Sequence, residues 1–189
     1  MTNIPIILTH IGKGDFPYYI YDCIVQVRTY NKNSPIYISV NKQIRKIDVA
    51  RLSYLRCQIV YIEEFERSKS HIQFHRRTRL SNFWKVTMER FFIVEEVMSH
   101  LNLSCAVHLE NDNLVYFNVD QMFSILVKDN NKILMPKDNS ERCIAGVVFI
   151  PSIDSLKDMN NFLAKSQKVK KKSEMQLLGE FASGNRIAP

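Results

Sequence analysis

The chain of 189 residues carries 46% hydrophobic and 24% charged side chains, enough for one packed globular domain and unlike a disordered or collagen-like chain. Its formal charge of +7 favours an anionic partner, whether phosphate, nucleotide, nucleic acid or acidic membrane, without choosing among them. The opening MTNIPIILTH lacks the basic region and cleavage site of a signal peptide, and no stretch reaches the ~20 apolar residues of a membrane span, so a soluble cytoplasmic protein is expected.

In chain order, the apolar run IPIILTHIG predicts a strand closed by His10 and Gly12. Tyr18, Cys23, Ile24, Val27 and Tyr30 follow at helical spacing, and PIYISVN reads as a second strand bounded by Pro35 and Asn41. RKIDVARLSYLR is a short helix before a third strand over Cys57–Phe65. The basic stretch SKSHIQFHRRTRLSN shows no clear period and is expected to be a loop with a short helix. Phe83–Leu101 is the clearest helix, with Trp84, Met88, Phe91 and Phe92 on an apolar stripe and Lys85, Glu89, Arg90 and Glu96 mostly off it. SCAVHLENDNLVYF gives a central strand and then a further extended or turn segment, in which CAVHL and LVYF flank the acidic residues with buried ladder. KILMPKD and ERCIAGVVFIPS are β-rich, a helix capped by Ser152 or Asp154 follows, and another runs from about Ser173 to a stop at Gly184.

Strands alternating with helices predict a mostly parallel, doubly wound α/β sheet covered on both faces, in one domain. Cys23, Cys57, Cys105 and Cys143 lie far apart with no C-x-x-C pair, and read as buried free thiols in a reducing compartment.

In such a sheet the ligand crevice lies beyond the carboxyl ends of the strands. The residues there are Thr9, His10 and Gly12, Asn41, Glu63 and Glu64, and the triplet Glu110, Asn111 and Asp112. Glu110 and Asp112 stand at i and i+2, which on an extended backbone places both carboxylates on one side, where a hard cation such as Mg²⁺ or Mn²⁺ can take them. A solvated acidic turn is the other reading of the same spacing.

Other motifs carry less. GKGDF has Gly12 and Gly14, but Pro17 occupies the third glycine position of a dinucleotide fingerprint. His71 and His75 are four apart with no Glu after His71, so the zinc-protease pattern is absent and surface or phosphate-facing histidines are expected. KSQKVKKKSE holds five lysines that suit a solvated segment or an anionic acceptor, and no interleaved aromatics favour nucleic acid.

FWKVTMERFFIVEEVMSHLNLSCAVHLENDNLVY resembles the central stretch of a group of GT-A fold glycosyltransferases found in large DNA viruses and some bacteria. There a helix F-W-x-x-T-x-E-R-F-F leads into a strand ending H-L-E-N-D-x-L-x-Y. The likeness covers 34 residues, with weaker similarity in AGVVFIPSIDSL and SEMQLLGEF. The resemblance implies a single GT-A-like domain, with 1–110 as the nucleotide-binding half and 111–189 as part of the acceptor half, in a whole protein or a piece of one. It implies that Glu110-Asn111-Asp112 is a variant D-x-D motif, with Asp112 and then Glu110 holding Mn²⁺ or Mg²⁺ on the donor's diphosphate. Thr9, His10 and Gly12 would lie near the base or ribose, and Lys85 and Arg90 near the diphosphate or the acidic turn. Glu174 stands where the family pattern D-M-x-L-L has its aspartate, which makes it the implied catalytic base of an inverting transfer, kept ionised by a helix N-terminus. The implied partners are a UDP- or GDP-type sugar donor and a glycan or glycoprotein acceptor, in the host cytoplasm if the chain is viral. A basic α/β nucleotide- or nucleic-acid-binding module without catalysis is the competing expectation.

Overall fold

The computed structural model describes residues 3–12, 16–127, 131–166 and 172–188, and among these no helix is long and apolar enough to cross a membrane. In chain order the elements are β1 (Ile6–His10), α1 (Tyr18–Tyr30), β2 (Ile36–Val40), α2 (Lys46–Tyr54), β3 (Cys57–Tyr61), α3 (Lys69–Arg77), α4 (Asn82–His100), β4 (Ala106–Leu109) and α5 (Val119–Val127). They continue with β5 (Ile133–Leu134), β6 (Lys137–Asn139), β7 (Arg142–Cys143), β8 (Val147–Ile150), α6 (Ile153–Ser166), α7 (Glu174–Phe181) and β9 (Ile187–Ala188).

Seven strands form one sheet in the order β3-β2-β1-β4-β8-β5-β9, and β6 and β7 form a separate ribbon. β3, β2, β1 and β4 run parallel, whereas β8 is antiparallel to both β4 and β5. This is the α/β class expected, with a mixed edge. Register follows the side-chain alternation of β1: Ile6 and Leu8 enter one core with Ile20, Ile24 and Val27 of α1, while Ile7 enters the other with Phe91, Phe92 and Met98 of α4. The order reverses at β1, since β2 lies on one side of it and the much later β4 on the other, so the carboxyl ends of β1 and β4 form the topological switch point.

Four local expectations change. The basic stretch after Arg67 is a full two-turn helix, α3, capped by Ser68 Oγ accepting from His71 N at 3.2 Å. His71 is therefore not at the surface: its ring is completely buried, because α3 packs it against Phe92 and α4. The polar face expected for α4 is also partly covered, with Glu89 and Glu96 buried, as is Glu95. LVYF is no ladder strand; residues 113–118 are irregular and lead into α5, whose N-terminus Asn118 Oδ1 caps by accepting from Gln121 N at 3.0 Å.

Ser152 caps α6 as expected, accepting from Ser155 N at 3.2 Å. Ser173 and Gln176 form a reciprocal capping box at α7. Helical winding does not stop at Gly184, because a π-type turn carries it from Ala182 to Arg186. The lysine-rich run lies largely outside the described residues, as does Gly14. Cys23, Cys57 and Cys143 are buried free thiols, and Cys105 is half-buried.

One glycine fixes how α7 meets the small ribbon. A Cβ on Gly179 would stand 1.9 Å from the Glu141 carbonyl oxygen and 2.8 Å from Arg142 N, both backbone atoms. Gly179→Ala is thus expected to lower stability by about 1–3 kcal/mol through overpacking, although alanine favours a helix by ~1 kcal/mol. Urea unfolding checks this, and a rise in the midpoint would refute close packing of α7 on the ribbon.

Candidate active site

A crevice of about 340 Å³ opens where β1 and β4 end. Thr9 and His10 at the end of β1 and Ile11 after it line one wall, Leu109 at the end of β4 and Glu110 to Asp112 after it line another, Tyr19 comes from α1, and Phe83, Val86, Thr87 and Arg90 come from the first half of α4. Tyr19 and Phe83 are 51% and 68% exposed, so each offers an aromatic face to an incoming ring.

The acidic turn folds differently from an extended strand. β4 ends at Leu109, and Asn113 N donates to the Glu110 carbonyl at 3.2 Å, closing a turn over 110–113. The i, i+2 rule for one-sided side chains therefore does not apply, and the two carboxylates part company. Glu110 turns to Arg90, whose Nη1 donates to Glu110 Oε1. Asp112 stays exposed at the crevice, with no ion pair among the described residues. Asn111 sits between them, its Nδ2 donating to the Thr9 carbonyl at 2.7 Å. That bond fixes the amide, and leaves its buried Oδ1 without a partner.

Arg90 is the hub. Its guanidinium, whose side chain is only 12% exposed, bonds Glu110 through Nη1 and Glu174 Oε1 through Nη2 at 2.5 Å, and lies over the Phe91 ring at 5.0 Å. Glu174 opens α7 as expected, but it is 6% exposed and does not line the crevice. Burial pushes its carboxyl above the ordinary range, against the pull of Arg90, so the helix end does not dominate its ionisation. Lys85 points elsewhere: it is absent from the crevice wall, and its charge acts on His75. Gly12 does not line the crevice either; its N–H donates to Asn41 Oδ1 at 3.0 Å. The structure thus gathers Thr9, His10, Arg90, Glu110, Asn111 and Asp112, sets Glu174 behind Arg90, and leaves Lys85 and Gly12 outside.

His108, one strand position before Leu109, is a crevice residue that pattern reading missed. Its Nδ1–H donates to the Ile7 carbonyl at 3.0 Å, so Nε2 is a bare acceptor, fully buried and without a partner. Burial, reinforced by the Arg90 charge, depresses its pKa to about 3, which keeps the ring neutral. The signal was present in the sequence as a polar residue inside the apolar run CAVHL. Cys23 is no nucleophile here: burial pushes its thiol up to about 12, and its Sγ donates to the Glu110 carbonyl at 3.8 Å. A larger hollow of about 710 Å³ beside α6 is lined by Lys132, Asp154, Asp158 and Lys165, among others, without buried polar groups converging on it.

No protein-family model and no curated protein sequence matches the chain. Solved structures do. The PaToxG glycosyltransferase superimposes with a TM-score of 0.68 at 8% identity, over 96% of this chain and 70% of that one. The galactosyltransferase LgtC, solved with donor and acceptor sugar analogues, gives 0.56 at 15% identity over 94% and 70%. A cytidylyltransferase from Leptospira borgpetersenii gives 0.57 at 9% identity over 99% and 74%. At these identities the likeness establishes the fold, which is that of GT-A-like nucleotide-sugar transferases.

His108 supplies a pH test of the crevice wall. Its folded pKa lies below its unfolded value near 6.5, so the unfolded chain binds the extra proton between the two. The neutral buried ring therefore costs no stability above pH 6.5, and stability falls as pH drops from 6.5 towards 3, by up to about 1.4 kcal/mol per pH unit. His108→Leu is expected to remove that slope in urea-unfolding free energies measured across the window, whatever its effect on absolute stability. An unchanged slope would mean that the ring is not held neutral.

Proposed function

We propose that the chain transfers a sugar from a nucleoside-diphosphate donor to a glycan or glycoprotein acceptor, with the donor seated in the β1–β4 crevice. The observation that carries this reading is the state of Asp112: of the two carboxylates on the crevice wall, Glu110 is matched by Arg90 and Asp112 is left for a ligand. The preceding residue, Asn111, carries a buried Oδ1 without a partner. An all-oxygen set of one carboxylate and one amide oxygen suits Mg²⁺ or Mn²⁺, which take their remaining ligands from water and phosphate. Asp112 and Asn111 would hold that ion, and when bound it supplies charge stabilisation to the leaving nucleoside diphosphate.

The chain's own residues do the rest. Thr9 and His10 close β1 against the nucleoside, and Tyr19 and Phe83 present ring faces to base or sugar. Arg90 does not need to bind phosphate to matter, because it fixes Glu110 and through it the turn that presents Asp112. Glu174 is a positioning residue in this reading. Inverting transfer was expected from Glu174 as a base; with its carboxylate 2.5 Å from Arg90 Nη2 and hidden from the crevice, the proposal keeps sugar transfer and drops that base.

A thermal-shift series with UDP-, GDP- and CDP-sugars, each with and without Mn²⁺, checks the reading. At least one donor is expected to raise the Tm by about 5 °C or more at saturation, only with the metal, and Asp112→Asn to abolish most of the shift. No stabilisation by any nucleotide sugar, or an equal shift in Asp112→Asn, would defeat it. Salt-dependent retention of oligonucleotides together with indifference to sugar nucleotides would instead favour the binding module.

A further inference from the structure

Outside the crevice, His71 and His75, one turn apart on α3, face Glu89 of α4. His71 Nε2 lies 3.0 Å from His75 Nε2 and 3.2 Å from Glu89 Oε1, and His75 Nε2 lies 2.8 Å from the same oxygen. Arg67 Nη1 stands over these three atoms, 3.2 Å from His71, 2.8 Å from His75 and 3.4 Å from Glu89. The His71 side chain is wholly buried and that of Glu89 is 9% exposed, while His75 and Arg67 reach solvent at 27% and 47%.

With Glu89 ionised, every placement of protons leaves one like-to-like contact in this set. His71 Nδ1 is 2.8 Å from Glu96 Oε1, which can only accept, so Nδ1 carries a proton and Nε2 of the neutral ring is bare. If His75 Nε2 is protonated it can donate to Glu89 Oε1 at 2.8 Å, but its nitrogen then stands 2.8 Å from a second donor, Arg67 Nη1. If it is bare, it meets Glu89 Oε1, acceptor against acceptor, also at 2.8 Å. Charging His71 adds one inward proton and does not relieve the contact between His75 and Glu89.

We propose that His71, His75 and Glu89 hold a divalent transition metal of the zinc class, in the place that Arg67 Nη1 fills here. One cation satisfies all three inward lone pairs together. A triangle with edges of 2.8 to 3.2 Å can be capped by an ion about 1 Å above its plane at roughly 2.0–2.1 Å from every corner, which is the zinc–imidazole and zinc–carboxylate bond length. The bond from His71 Nδ1 to Glu96 completes the carboxylate–histidine–metal arrangement that fixes tautomer and ring orientation in such sites, and Glu96 Oε1 is itself held by Ser68 N at 2.7 Å. Two imidazoles and a carboxylate favour zinc-like ions, in contrast to the oxygen set at Asp112. Arg67, half exposed, is free to swing into solvent and leave the fourth position to water.

We read the site as a staple, because it lacks the general base of the H-E-x-x-H motif. In the H-E-x-x-H zinc hydrolases the residue after the first histidine is the general base, and here that position is Ile72. A metal at this point joins α3 to α4 at Glu89, next to Arg90, and so fixes the part of α4 that forms the crevice wall.

Elemental analysis of the full chain, dialysed against zinc and then metal-free buffer, tests this without any nucleotide, so its outcome is independent of the sugar-transfer reading. The expected result is one zinc per chain in the wild type and in Asp112→Asn, and less than about a tenth of that in His75→Ala, whose partly exposed side chain makes it the mildest ligand deletion. Co²⁺ added to the metal-free wild type is expected to give the intense visible absorption of a four-coordinate site, a readout that needs no variant. Absence of both zinc retention and the cobalt band, or full zinc retention by His75→Ala, would overturn the proposal.

Discussion

A helix buried on nearly every side can carry charged residues only if each charge is met by a neighbour, and α4 carries four of them in one stretch. Glu89 meets His75 of α3 and Arg67 just before it, Arg90 meets the β4 turn and α7 through Glu110 and Glu174, Glu95 meets Asn160 of α6 at 2.7 Å, and Glu96 meets His71 and Ser68. α3, α6, α7 and the β4 turn are thereby tied to α4 by charges it cannot leave unpaired. Buried ion pairs of this kind add little net stability compared with apolar packing, but breaking one leaves a stranded charge at a cost of about 3–5 kcal/mol. Their effect is to choose one arrangement of α3, α6, α7 and the β4 turn around the helix.

That arrangement builds the crevice. The β1–β4 switch point supplies a gap in any sheet of this order, but the groups lining it depend on Arg90. By holding Glu110 back, Arg90 separates two carboxylates that adjacency in sequence would have paired, and leaves Asp112 alone at the mouth. The same β4 segment also carries two neutral hydrogen-bond acceptors, His108 Nε2 and Asn111 Oδ1, both unmatched among the described residues. Unmatched buried acceptors are costly, and their concentration at one opening is what a site awaiting a polar ligand requires.

Much of this was legible in the residues. The strands at Ile6, Ile36, Cys57 and Ala106 follow from short β-branched or apolar runs closed by turn residues, and strand–helix alternation was enough for the sheet class. The position of the crevice followed from strand ends, and the GT-A-like fold implied by the resemblance is the fold found. Spacing could not tell that the chain turns immediately after Leu109, because that depends on hydrogen bonds from Glu110 N and Asn113 Nδ2 to the carbonyl of Gly146, far along the chain. The same holds for Glu174, whose partner is decided by how α7 docks, and for His71, whose burial required α3 to be a helix packed on α4. α5 escaped notice although Asn118 as a cap and Val119, Met122 and Phe123 at helical spacing were available to find it.

The central claim is that Asp112, freed by the Arg90–Glu110 pair, is where the donor's diphosphate is received. Anomalous diffraction from crystals grown with Mn²⁺ and a nucleoside diphosphate reads that directly, since the manganese signal marks the ion's position whatever the sugar. A peak within coordination distance of an Asp112 carboxylate oxygen and of the diphosphate, with Glu110 still on Arg90, is the predicted result. Manganese and diphosphate bound away from the β1–β4 crevice, or an ion held by Glu110 with Arg90 displaced, would contradict it.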